Sequence, residues 1–276
     1  MKKIIALLLC LMLACAAAMA EAPDTSRIAG ANEMTTVEDI VPEGMTPVTA
    51  DMLSDGTYSV AVESSSSMFK VTACEITVAD GKLTAVLHMK SEAYTYMFPG
   101  TAEEASRAAL EDLAALEDGS FTLPVDALDA GYTCAAFSAK KQEWYPRTLL
   151  FRADSLPLEA WKSLTTAGSL GLADGDYTCA VTLSGGSITL QSPAALHVAG
   201  SACTADLVFS TERIDYVIVN GQKYEPTSTE GGAAFTVPVG AFGVGLGIVV
   251  DSTAMTPAVE VPYSMRFDAE TIAAAE

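Results

Sequence analysis

Apolar and polar residues alternate with a period of two through YSVAV (58–62), KVTACEITV (70–78), KLTAVLHM (82–89), FTLPV (121–125) and TLLF (148–151). That period sends successive side chains to opposite faces, so each stretch predicts a half-buried β-strand. Asp80-Gly81, Gly185-Gly186 and Asn220-Gly221 mark turns, because these residues tolerate left-handed backbone. One stretch follows a different period. Thr101-Ala-Glu-Glu104 is a capping box, and ASRAALEDLAAL after it places Ala105, Ala109, Leu113 and Leu116 on one helical face. A helix over 101–116 is expected there.

The pattern then recurs. DGTYSVAV (55–62) returns as DGDYTCAV (174–181), and LTAVLHM (83–89) as CTADLVF (203–209). FTLPVDAL (121–128) returns as FTVPVGAF (235–242), and WYPRTLLF (144–151) is answered by VPYSMRF (261–267). Four matches in one order at similar spacing read as a tandem duplication. Each unit is about a hundred residues, an ordinary domain size. Many short strands with such turns predict a mainly β chain of two tandem immunoglobulin-like β-sandwich domains, the first with an inserted α-helix. The first core is expected to hold Tyr58, Val60, Val62, Ile76, Val78, Val86, Phe121, Leu149 and Phe151.

Residues outside the repeats complete the layout. Residues 1–20 combine Lys2-Lys3, a short apolar run and Ala18-Met19-Ala20, the pattern of a secretory signal peptide cut after Ala20. A lipoprotein signal ending at Cys15 is the alternative. An acidic, flexible leader is expected over 21–50. The first unit covers 51–157, a linker 158–171, the second unit 172–269 and a tail 270–276. Either signal places the chain at the cell surface or outside the cell, and no later stretch is apolar enough for a membrane helix.

Charge narrows the partners. The formal charge is −20, and removing Lys2 and Lys3 with the signal takes it to −22. Such a chain repels phosphate backbones, so nucleic acid is excluded as a broad-surface partner. Of six cysteines, Cys74, Cys134, Cys179 and Cys203 remain after the signal. They allow three disulfide pairings, or none if they serve as small buried hydrophobes.

Catalytic patterns are missing, and no enzyme is expected. The two histidines, His88 and His197, are far apart and lie in predicted strands. No GxSxG elbow or HExxH occurs. Gly243-Val-Gly245-Leu-Gly247 reads as a glycine-rich strand or bend, since no helix signal follows it. What stands out is an aromatic and methionine cluster confined to the first unit. Ser66, Ser67, Met68 and Phe69 lie between two strands; Tyr94 and Tyr96 leave a strand towards the capping box. Trp144, Tyr145 and Arg147 open the closing strand. Neighbours on a strand face opposite sides, so only one of Trp144 and Tyr145 can meet a given ligand.

The order of DGTYSV, SSSSMFK, VADGKLTAVLHM and the closing aromatic strand resembles NEAT-type domains. These are immunoglobulin-like modules of Gram-positive surface proteins that capture haem. It is also similar to secreted, iron-transport-associated proteins of anaerobes. The resemblance implies a short 3₁₀ lip at Ser65–Phe69, Tyr145 (or Met68) as haem-iron ligand, and an ABC-type iron importer as partner. Leu149 stands where such domains carry a second tyrosine. The chain is therefore expected to be an extracytoplasmic ligand-capture protein for haem or a related iron compound. The alternative is a non-enzymatic adhesion or structural module that binds glycan or a protein partner through Trp144, Tyr145 and the helix.

Overall fold

The computed structural model describes residues 23–30, 39–42 and 45–275, and the predicted signal segment lies outside them. The chain is mainly β, built as four antiparallel sheets. Its first half runs β1 (Gly56–Ser59), β2 (Ala61–Ser64), β3 (Val71–Ala79), β4 (Lys82–Met89), β5 (Tyr94–Phe98), helix α1 (Ala102–Ala105), β6 (Ala114–Ala115), β7 (Ser120–Val125), β8 (Gly131–Ser138) and β9 (Glu143–Arg152). The second half runs β10 (Gly175–Cys179), β11 (Val181–Ser184), β12 (Ala194–Ala199), β13 (Ala202–Val208), β14 (Ile214–Val219), β15 (Gln222–Tyr224), β16 (Ala234–Pro238), β17 (Leu246–Ser252), β18 (Val259–Phe267) and β19 (Ala273–Ala274).

The sheets of the first half have the orders β1-β3-β4-β7 and β2-β9-β8-β5-β6. Those of the second are β19-β10-β12-β13-β16 and β11-β18-β17-β14-β15. Apart from β19, the orders coincide strand for strand. In both halves the opening strand breaks at one residue, Val60 or Ala180, and passes from one sheet to the other. Each pair of sheets encloses its own hydrophobic core.

Alternation decides which side chains enter those cores. Val60, Ile76, Val78, Phe121, Leu149 and Phe151 are buried as expected, with Tyr58 and Val62 packed at the margin. Val86 is not inside. In β4 it is Leu83, Ala85 and Leu87 that face inward, which turns Val86 to the outer face. The turns Asp80-Gly81 and Asn220-Gly221 have φ of 51° and 70°, and 50° and 74°. Both are left-handed pairs that match the twist of a two-residue hairpin.

The expected sixteen-residue helix is a single turn. The capping box forms as predicted, with Thr101 Oγ1 accepting from Glu104 N–H and the Glu104 carboxylate accepting from Thr101 N–H. The helix then ends at Ala105, a 3₁₀ turn covers Leu110–Asp112, and Ala114–Ala115 pair with Tyr96 and Met97. A continuous helix would leave the edge of β5 unpaired, and closing that edge outweighs helical propensity. The leader is also seated where it is described. Ile28 forms a parallel bridge with Trp144, Arg27 pairs with Glu143, and Val48 bridges Leu128. The linker docks too, through bridges from Trp161 to Leu53 and from Thr165 to Phe242.

Candidate functional site

The serine run begins as an extension of β2. Ser65 N–H donates to the Thr148 carbonyl, and Thr148 N–H donates back to Ser65 Oγ, both at 2.9 Å. The chain then turns, closed by Phe69 N–H to the Ser66 carbonyl at 3.0 Å and Met68 N–H to Ser66 Oγ at 3.3 Å. This is a hydrogen-bonded turn, not a 3₁₀ lip. It leaves Ser67 and Met68 outside, Met68 at 67% exposure, and drives Phe69 inward to 1%.

Beneath the turn, four of the nine candidate residues meet. Phe69 and Tyr94 rings lie 5.2 Å apart. Arg147 Nη2 donates to Tyr94 Oη at 3.0 Å, and its guanidinium carbon lies 5.7 Å from the Tyr94 ring centre and 5.2 Å from that of Tyr145. Arg147 is buried, forms no ion pair among the described residues, and leaves its Nε unbonded. Two aromatic faces thus take the place of a carboxylate. Trp144 and Tyr96 lie apart from this cluster. A register shift between Tyr94 and Tyr96 points Tyr94 and Met97 into the core and Tyr96 outward. There Tyr96, Phe137 and Trp144 pack under α1, and Trp144 Nε1 donates to the Thr25 carbonyl at 2.7 Å. Trp144 is fully buried and offers no stacking platform to a glycan.

Haem does not fit the residues as placed. A tyrosinate ligand needs an open slot in front of its oxygen, whereas Tyr145 is 9% exposed, in the core, under the Arg147 guanidinium. Phe69 and Tyr94 fill the space below the lip. Met68 is the exposed alternative, yet it projects outward from the turn, and among the described residues no group of three or more His, Cys, Asp or Glu could hold a metal ion. The second half has a different arrangement again. The pairings of Val62 with Phe151 and Val181 with Phe267 set Tyr263 level with Arg147, and Val261 level with Tyr145. Tyr263 lies under Gly186, where a Cβ would meet its hydroxyl at 2.5 Å.

A larger concavity lies at the seam between the halves. It is a groove of about 1110 Å³, lined on one side by β1, β2 and the Arg152–Glu159 stretch, and on the other by Ile218, Ile248, Pro262 and Tyr263. The glycine motif explains how the halves approach so closely. A Cβ on Gly247 would meet the Asp154 carbonyl at 2.7 Å, and one on Gly245 the Asp154 Cβ at 3.4 Å. The motif is a bend at Gly243-Val244 that runs into β17, where Gly247 admits a neighbouring backbone. At the groove wall Arg152 forks onto Asp154 and pairs with Glu63. Both members of the fork are buried, so their remaining bonds are made within the protein. None of the nine candidate residues lines this groove.

Other reactive groups are held in structural roles. Ser120 Oγ and His88 Nδ1 lie 2.9 Å apart, directly opposite across β4 and β7. His197 bridges Asp176 and Asp206 through its two ring nitrogens, at 2.7 and 3.0 Å, on an exposed sheet face. The four cysteines are free and buried, and burial pushes the Cys74 and Cys134 thiols up to about 12. No protein-family model matches this chain, and no curated protein does. The likeness to NEAT-type domains rests on the quoted segments alone. Among the described residues no helix is long and apolar enough to cross a membrane.

Proposed function

We propose that the chain is an exported, non-enzymatic binding protein of two tandem immunoglobulin-like β-sandwiches, and that its ligand lies in the groove between them. The duplicated segments and the shared strand order support the architecture. The groove carries the binding reading. Its volume of about 1110 Å³ lies just above the usual range of ligand sites, and its walls bring Val62, Leu156, Leu158 and Ile248 together from both halves. Among its charges, Glu63 and Asp154 are held by Arg152, and Glu159 is exposed at the rim. Capture of haem, with delivery to an importer, has no support from the placement of Tyr145 and Met68. The protein-partner form of the adhesion reading is compatible with the groove.

Methyl-resolved NMR of the full chain tests this reading, with 2-naphthol and hemin as separate probes. Saturable shifts at Val62, Leu156, Leu158 and Ile248 are expected with 2-naphthol, and their loss in Ala61→Phe, which fills the groove. Shifts scattered over the surface, or unchanged in Ala61→Phe, would sink it. A hemin Soret shift that disappears in Tyr145→Phe or Met68→Ala would instead restore the haem reading.

A further inference from the structure

The two halves differ at one strand edge. In the second half β19 lies against the outer edge of β10, with Ala274 opposite Tyr177, Ala273 opposite Thr178, and Ala275 N–H donating to the Asp176 carbonyl at 2.9 Å. The segment leading to β19 has an equivalent in the first half. Thr271 Oγ1 accepts from Ala180 N–H at 2.8 Å and donates to the Asp268 carbonyl at 2.7 Å. Ser155 Oγ likewise accepts from Ala61 N–H at 2.9 Å and donates to the Arg152 carbonyl at 2.6 Å. Both sit in 3₁₀ turns, Ala269–Thr271 and Ala153–Ser155. Two residues further on, Ala273 and Ala274 are matched by Pro157 and Leu158.

Proline changes the outcome. It has no N–H to give to a ladder, and the chain turns away into a second 3₁₀ turn, Leu158–Ala160, before rejoining at Ser54. Among the described residues, the outer edge of β1 therefore receives no equivalent of β19. Val60 N–H bonds to the Cys74 carbonyl, so in the alternating ladder Tyr58 also faces β3 with its backbone groups. The backbone of Thr57 and Ser59 faces the other way. Both residues are exposed, and both line the groove.

We infer that the β1 edge is a docking site for an extended peptide segment with basic residues, added as a short antiparallel strand where β19 lies in the second half. An unpaired edge at the floor of a groove is the geometry of β-strand addition, in which main-chain bonds give affinity and flanking pockets give selectivity. Charge selects the occupant. The groove carries Glu63, Asp154 and Glu159 against the single guanidinium of Arg152, and a chain of charge −20 repels a second copy of itself.

This inference rests on the groove reading above, and its test separates the two. The probe is the peptide acetyl-Lys-Ile-Ala-Ala-Lys-amide, which keeps the Ile-Ala-Ala of the native tail between two lysines. It is titrated into the full ¹⁵N-labelled chain. Amide shifts confined to Thr57–Ser59 and the groove wall are expected, with Ser59 N–H exchange slowed about tenfold at saturation, as a new ladder bond requires. Ser59→Pro, which removes only an outward N–H, should weaken binding about tenfold or more. Pro157→Ala, which lets residues 156–158 close the edge as β19 does, should weaken it too. It decides the matter if Ser59→Pro does not fold. Groove shifts without Ser59 protection would overturn strand addition and leave the groove reading intact. No shifts at millimolar peptide, or equal binding of the peptide with glutamate for lysine, would overturn the inference, while 2-naphthol still reports on the groove.

Discussion

Asp129 shows how one buried side chain sets a pH response. It has a left-handed φ of 54° and accepts a 2.7 Å hydrogen bond from Ala153 N–H beside the seam. Burial pushes its carboxyl up to about 6; the Ala153 bond opposes this, Asp154 adds to it and Arg152 reduces it. A carboxyl raised on folding stabilises the fold fully below its unfolded value of 3.8. That contribution is lost as pH rises towards 6. Asp129→Asn keeps the acceptor and tolerates the backbone. It should raise Tm at pH 7 to 8, by roughly 1–3 kcal/mol in stability, and leave Tm at pH 4 unchanged. Equal effects at both pH values would show that ionisation is not the cause. His197 acts with the same sign in a higher window. Its hydrogen bonds to Asp206 and then Asp176 raise it above 6.5, so that stabilisation fades as pH climbs through the folded value. The acidic side chains were plain in the sequence. That Asp129 would be enclosed was not, because nothing local marks it out from the exposed Asp126 three residues before it.

Elements settle their boundaries by the edges they must close. The segment after the capping box had the apolar spacing of a helix, yet β5 needed a partner and Ala114–Ala115 supplied it. The leader behaves in the same way. Where the serine turn takes β2 away from β9, residues 27–29 take up the vacant edge beside Trp144. Deleting the chain through Ala29 should therefore expose Trp144 to water. In a Trp161→Phe background, emission should move to longer wavelength and Tm should fall. Unchanged emission would mean that the leader does not cover the ring. The strands themselves were legible, because a period of two is a local property. The bulge that divides Tyr94 from Tyr96 was not, since strict alternation puts both on one face.

At the scale of the molecule, the proposed site depends on the contact between halves. Gly247 lets β17 approach the Asp154 backbone, and the groove lies beside that contact. Gly247→Ala should push the halves apart at a cost of about 1–3 kcal/mol. Calorimetry should then resolve two transitions, against a single one expected for the native chain. A single transition at unchanged Tm would mean that the contact is not tight. The sequence by itself determined the strand periods, the tight turns, the capping box and the duplicated segments, because each is written in residues near one another. It also placed Phe69, Tyr94, Tyr145 and Arg147 among the residues of interest. Only the tertiary structure decided that those four would fill the space beneath the serine turn, and that the open concavity would lie at the seam. Serines 64–67 extend β2, pair with Thr148 and turn the chain, while one proline 90 residues later leaves a strand edge open. Such outcomes depend on which edges meet in space, and no window of sequence contains both partners.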